Sequence, residues 1–162
     1  MKLYFLRHGR ADRSAWSGSN DDLRPLTEEG KDRMHRQAQA MAALKLPLDA
    51  ILSSPLVRAR QTAEITANHL HMEDILHIDE KLAPGFFSQD LKDIASEYSS
   101  ARALMLVGHE PDFSELISLV IGGGDVKVKK GSLIHVDMED PRGLSGTLMY
   151  SLPAKVLLRM KH

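Results

Sequence analysis

The chain has 162 residues, 43% of them hydrophobic and 27% charged, with 21 basic and 22 acidic side chains, a formal net charge of −1 and no cysteine. This length predicts one domain over residues 1–162 built on one substantial core, and the ordinary composition excludes a fibre, a disordered chain and a membrane span. The charge balance excludes a general nucleic-acid binder, and the missing cysteines exclude a disulfide framework, a thiolate nucleophile and a cysteine zinc site.

The N-terminus lacks the basic start, apolar stretch and small-residue cleavage site of a signal peptide, so a cytoplasmic location is expected. Residues 3–6, Leu-Tyr-Phe-Leu, form a continuous apolar run, the pattern of a strand covered on both faces in a parallel sheet. A polar loop follows over residues 11–25. Thr27 reads as a helix N-cap, Glu28 and Glu29 favour the first turn, and Met34, Ala38, Met41 and Ala42 share one face of a helix to about Leu44.

Residues 50–53 read as a second strand, with Ser54 as N-cap and Pro55 at the first position of the next helix, whose buried stripe is Leu56, Ala59, Ala63, Ala67 and Leu70. A third strand is expected over residues 75–79, a helix capped by Ser88 with Leu91, Ile94, Ala95 and Tyr98 inward, and a fourth strand over 103–107. Phe113, Leu116, Ile117, Val120 and Ile121 then define the strongest helix, stopped by Gly122, Gly123 and Gly124. Residues 132–138 and 147–152 read as an antiparallel pair around a turn containing Pro141, Gly143 and Gly146. The expected fold is therefore α/β: a three-layer sandwich with a mostly parallel central sheet, an antiparallel edge near the C-terminus, and helices on both faces.

In such sheets ligands bind beyond the carboxyl ends of the strands. Three segments put unusual residues there: Arg7-His8-Gly9, Ser53-Ser54-Pro55-Leu56-Val57-Arg58 and Gly108-His109-Glu110-Pro111. A neutral imidazole can attack phosphorus directly, which makes His8 the candidate nucleophile. Guanidinium forks from Arg7 and Arg58 match the spread charge of a migrating phosphoryl group, and two helix N-termini nearby favour an anion. His109 could donate a hydrogen bond to a phosphate oxygen or hold a proton for the leaving group. Gly9 would let the backbone approach a ligand closely, although an ordinary tight turn explains it equally well. Arg24 either reaches the rim of the pocket or pairs with Asp21 or Asp22.

Arg-His-Gly alone arises by accident in about one chain in a hundred of this length. Placed after the first strand, and joined by the Arg24 to Gly30 segment, the Ser-Ser-Pro-x-x-Arg motif and Gly-His-Glu-Pro, it resembles the histidine phosphatase superfamily. More narrowly, the chain is similar to the small SixA-type protein phosphohistidine phosphatases over almost its whole length. The resemblance implies a phosphoglycerate mutase-like fold, a phosphoryl group carried on His8, and a phosphate pocket completed by Arg7, Arg58 and His109, with no metal or cofactor. It implies a phosphorylated protein, or else a small phosphorylated metabolite, as partner; a non-catalytic domain that binds phosphorylated ligands is the third reading. Many members use a carboxylic acid after the third strand as proton donor. Here that stretch is residues 79–85, where Glu80 is not placed by the resemblance, and the general acid stays unassigned.

Among the other features, His69 and His71 lie two residues apart without nearby acidic partners, a weak metal pattern, and are read as structural. Lys127, Lys129 and Lys130 form a basic patch, read as a solvated edge or a dock for an acidic partner.

Overall fold

The computed structural model describes residues 1–160; residues 161–162, the last two of the expected domain, lie outside the described residues. Six strands form one sheet in the order β3-β2-β4-β1-β5-β6: β1 (Lys2–Arg7), β2 (Ala50–Ser53), β3 (Leu76–Ile78), β4 (Ala103–Gly108), β5 (Leu133–Asp140) and β6 (Ser145–Leu152). The first four pair in parallel, whereas β5 and β6 run antiparallel, β5 alongside β1 and β6 at the edge.

Side chains alternate across the sheet and meet helices on both faces. Tyr4, Leu6, Ile51, Met105 and Val107 pack against α1 (Glu28–Ala43), α2 (Val57–Leu70) and α5 (Ala154–Leu157). Leu3, Phe5, Leu52, Leu104 and Leu106 pack against α3 (Ser88–Glu97) and α4 (Asp112–Val120). Because both faces are covered, the central strands can be apolar at every position, as β4 is. The three-layer α/β sandwich with an antiparallel C-terminal edge is thus the observed fold.

Local details depart from the sequence reading where side chains found other partners. The Thr27 hydroxyl does accept the Gly30 N–H. Ser54, however, does not cap α2, which begins only at Val57 with Leu56 as its N-cap; the Ser54 hydroxyl accepts the Leu56 N–H at 3.3 Å and lies 2.7 Å from His109 Nε2. Ser88 is the first residue of α3, and the Asp90 carboxylate accepts the preceding Phe87 N–H instead. The third strand shortens to three residues because residues 73–75 coil into a 3-10 turn. Gly146 lies inside β6 rather than in the turn. Gly122, Gly123 and Gly124 all take positive φ (84°, 118° and 99°), a conformation that ends α4 and suits residues without a Cβ. Among the described residues no helix is long and apolar enough to cross a membrane.

Candidate active site

The register of three neighbouring parallel strands assembles the site. Arg7 pairs with Gly108 and Ser53 with Val107, so β1, β4 and β2 end at the same level. The next residues continue the ladder: His8 N–H donates to the Gly108 carbonyl at 3.1 Å and Ser54 N–H to the Val107 carbonyl at 2.9 Å. His8, His109 and Ser54, scattered in sequence, therefore become neighbours at the carboxyl end of the sheet. The two imidazoles lie 5.3 Å apart between centroids, and His109 Nε2 is 2.7 Å from the Ser54 hydroxyl oxygen.

Around them opens a cleft of about 580 Å³ lined by Arg7, His8, Arg24, Arg58 and His109 together with Asp21, Glu110 and Lys130. The five residues proposed from the sequence for phosphate chemistry, Arg7, His8, Arg24, Arg58 and His109, all line it. Arg7 is tied by a 2.8 Å hydrogen bond from Nη1 to the Val128 carbonyl, and Arg58 Nη1 donates to the Asp21 carbonyl at 2.9 Å. The Asp21 carboxylate lies 3.4 Å from Arg58 Nη2 and accepts Arg24 Nε at 2.9 Å. Both readings of Arg24 hold: it stands at the rim and is paired with Asp21, which links it to Arg58.

His8 is buried, and its Nδ1 lies 2.8 Å from the Gly9 carbonyl. A carbonyl only accepts, so Nδ1 carries the hydrogen and Nε2 keeps its lone pair. Burial first, then the adjacent His109, Arg58 and Arg7, push His8 down to about 3, against the partial support of the Gly9 hydrogen bond. Burial, followed by Arg58, Arg7 and Arg24, likewise lowers His109 to about 4. Both rings are neutral at neutral pH. Burial also lowers both arginines, Arg7 with some relief from Glu110 and Arg58 with further repulsion from Arg24. Arg7 Nε, Arg58 Nε and His109 Nδ1 are buried without a hydrogen-bond partner. Three unmatched polar atoms beside one cleft are costly in a folded chain and would be relieved by a polyoxygen anion.

Sequence reasoning missed Ser54, whose role as a cap was the more familiar pattern, and it missed Asp21 as the anchor of Arg58. For Gly9 the structure adds a packing requirement that the sequence did not show. A Cβ there would meet Met34 Cγ at 2.6 Å and Leu26 Cδ2 at 3.3 Å, so the glycine serves the packing of α1 beneath the loop. The Gly9 N–H is taken up by the Thr62 hydroxyl at 3.0 Å. Glu80 is exposed and does not line the cleft. Of the carboxylates that do, Asp12 pairs with Arg10 and Lys130, Asp21 with Arg24 and Arg58, and Glu110 Oε1 accepts the Ser114 N–H. Away from the cleft, His69 Nε2 contacts His35 Nδ1 at 3.1 Å. Among the described residues no three metal-ligating side chains are grouped to hold an ion.

The fold agrees with that of solved structures the chain is similar to. The chain belongs to the histidine phosphatase superfamily, whose branch 1 model matches residues 3–87. It is accordingly an enzyme of the phosphatase class of hydrolases. An uncharacterized protein of Picosynechococcus sp. (strain PCC 7002) is 39% identical over 142 residues, 83% of either chain. The phosphohistidine phosphatase SixA of Escherichia coli (strain K12) is 27% identical over 127 residues, 76% of either chain. The structure of the protein histidine phosphatase SixA complexed with tungstate superposes with a TM-score of 0.85 at 21% identity, covering 97% of this chain and 99% of that one.

Proposed function

We propose that residues 1–162 act as one histidine phosphatase domain that removes phosphate from phosphohistidine on a protein, through a covalent phosphoenzyme on His8. The observation that carries this reading is the His8 tautomer: with Nδ1–H given to the Gly9 carbonyl, the lone pair sits on Nε2 of a neutral ring in an arginine-lined cleft. In the first step Nε2 attacks phosphorus, a new N–P bond forms and the substrate N–P bond breaks. The freed electron pair stays as a lone pair on the departing nitrogen, and the substrate ring, already protonated on its other nitrogen, leaves as neutral imidazole. In the second step water attacks the phosphorus of His8, releasing inorganic phosphate and restoring the lone pair.

Arg7 and Arg58 hold the equatorial oxygens, and Asp21 keeps the Arg58 fork oriented with Arg24 beside it. His109, positioned by Ser54, donates to a phosphoryl oxygen. A protonated phosphoimidazole is already a good leaving group, so the reaction on phosphohistidine demands less of a general acid than an ester would. The similarity to a phosphohistidine phosphatase supports the same substrate class.

The test is to mix the chain with a protein carrying radiolabelled phosphohistidine and quench in alkali within milliseconds. Label on the wild-type chain and none on His8→Ala supports the proposal. Ligand binding with no covalent label would make this a binding domain. Turnover of small phosphomonoesters alone would move it to metabolites.

A further inference from the structure

A second groove, of about 420 Å³, adjoins the catalytic cleft and shares Arg7, Asp12 and Lys130 with it. Among the described residues six cationic side chains line it, Arg7, Arg10, Arg33, Lys129, Lys130 and Lys155, against one carboxylate, Asp12. In a chain of net charge −1 this is a strong local excess. The cations arrive from separate places: Arg33 from α1, Lys129 and Lys130 from the loop before β5, and Lys155 from α5. Lys127 of the same basic patch does not line the groove.

Some of this charge is already matched. Arg10 is bound to Asp12 and Glu29, Lys130 to Asp12, and Arg33 reaches Glu29 only at 3.9 Å, so that the Asp12 ion pairs form the wall shared by groove and cleft. Lys129 and Lys155 are exposed and form no ion pair among the described residues. Cations scattered on a solvated surface ordinarily alternate with carboxylates; here they converge on one concavity beside the reacting histidine.

We propose that this groove docks an acidic stretch of the phosphorylated protein substrate, an inference that rests on the protein-substrate reading above. Aspartate and glutamate side chains next to the phosphohistidine would lie along Lys155, Lys129 and Arg33 while the phosphoryl group reaches His8. Among the described residues the lining holds no aromatic side chain on which a nucleobase could stack, which favours an acidic polypeptide over a nucleic acid. Exposed charges of this kind act mainly on encounter and are weakened by salt, so the effect belongs in KM rather than kcat.

The experiment compares wild type with Lys129→Glu/Lys155→Glu, neither residue lining the catalytic cleft. Hydrolysis of a phosphohistidine protein with an acidic flank should show KM raised about tenfold, kcat unchanged and a flatter salt dependence. Hydrolysis of p-nitrophenyl phosphate should not change. Binding of a fluorescent oligoglutamate peptide to the His8→Ala chain is measured in parallel and should be lost in the lysine variants. An unchanged KM for the protein overturns the proposal. If the protein is not hydrolysed at all, the protein-substrate reading fails, and the peptide decides the groove: lysine-dependent binding sustains an acidic-polypeptide dock, and no binding overturns it. Single-stranded DNA bound more tightly than the peptide also overturns it.

Discussion

Lowering the pH from 7.5 to 5 should destabilise this protein through the two cleft histidines, and the size of the effect follows from their burial. An unfolded histidine takes up a proton near pH 6.5. The native chain refuses that proton at His8 until about pH 3 and at His109 until about pH 4. Between these limits the unfolded state binds more protons, so stability is full above 6.5 and falls as the pH drops toward the native values. At pH 5 each position has lost about 2 kcal/mol, roughly 4 kcal/mol for the pair. That is a large share of the ~5–15 kcal/mol that holds an ordinary domain together, and corresponds to about 10 °C in melting temperature. Burial lowers His135 and His69 in the same direction, so the isolating comparison is with His8→Gln. Urea unfolding at pH 7.5 and 5 should show a pH-dependent loss smaller by about 2 kcal/mol in that variant. Nitrogen-15 spectra of the imidazoles should show His8 as the neutral Nδ1–H tautomer at both pH values. A His8 midpoint near 6.5, or an equal pH dependence in the two proteins, would refute the electrostatic picture of the cleft.

Arg58→Ala should lower kcat/KM by about 10²–10³, the usual cost of one preorganised donor to a developing anion, as read from initial rates. Its thermal stability should shift by no more than about 1 kcal/mol, because the lost contacts to Asp21 are offset by removing a buried cation. Ser54→Ala removes the hydroxyl partner of His109 and should reduce kcat up to about tenfold with KM little changed; no change would deny Ser54 its positioning role. Gly9→Ala drives a methyl into Met34 and should destabilise the fold by about 1–3 kcal/mol in urea titration, and native-like stability would show that the α1 contact relaxes freely.

What sequence alone determined here is what depends on local chemistry and period. Apolar runs of strand length marked β1, β2 and β4 because a strand covered on both faces has no polar side to show. The stripe from Phe113 to Val120 marked α4, and the glycines after it marked its end, because both follow from backbone geometry. Arg7, His8, Arg58 and His109 were legible as a set because their motifs follow strands whose ends a parallel sheet brings together, and the four do line one cleft.

What only the tertiary structure decided is which groups share a partner. A serine before a proline looks like a cap in one dimension, and only the parallel register of β2 and β4 brings Ser54 to His109. Asp21 could be seen as a neighbour of Arg24 but not as the anchor of Arg58, 37 residues further on. Gly9 belongs to α1 packing for the same reason. Nor could the convergence of Arg33, Lys129 and Lys155 on one groove be read along the chain, because three elements distant in sequence build it. Burial completes the difference: residue type makes an imidazole able to attack, but the enclosing fold holds His8 neutral and assigns its proton to Nδ1.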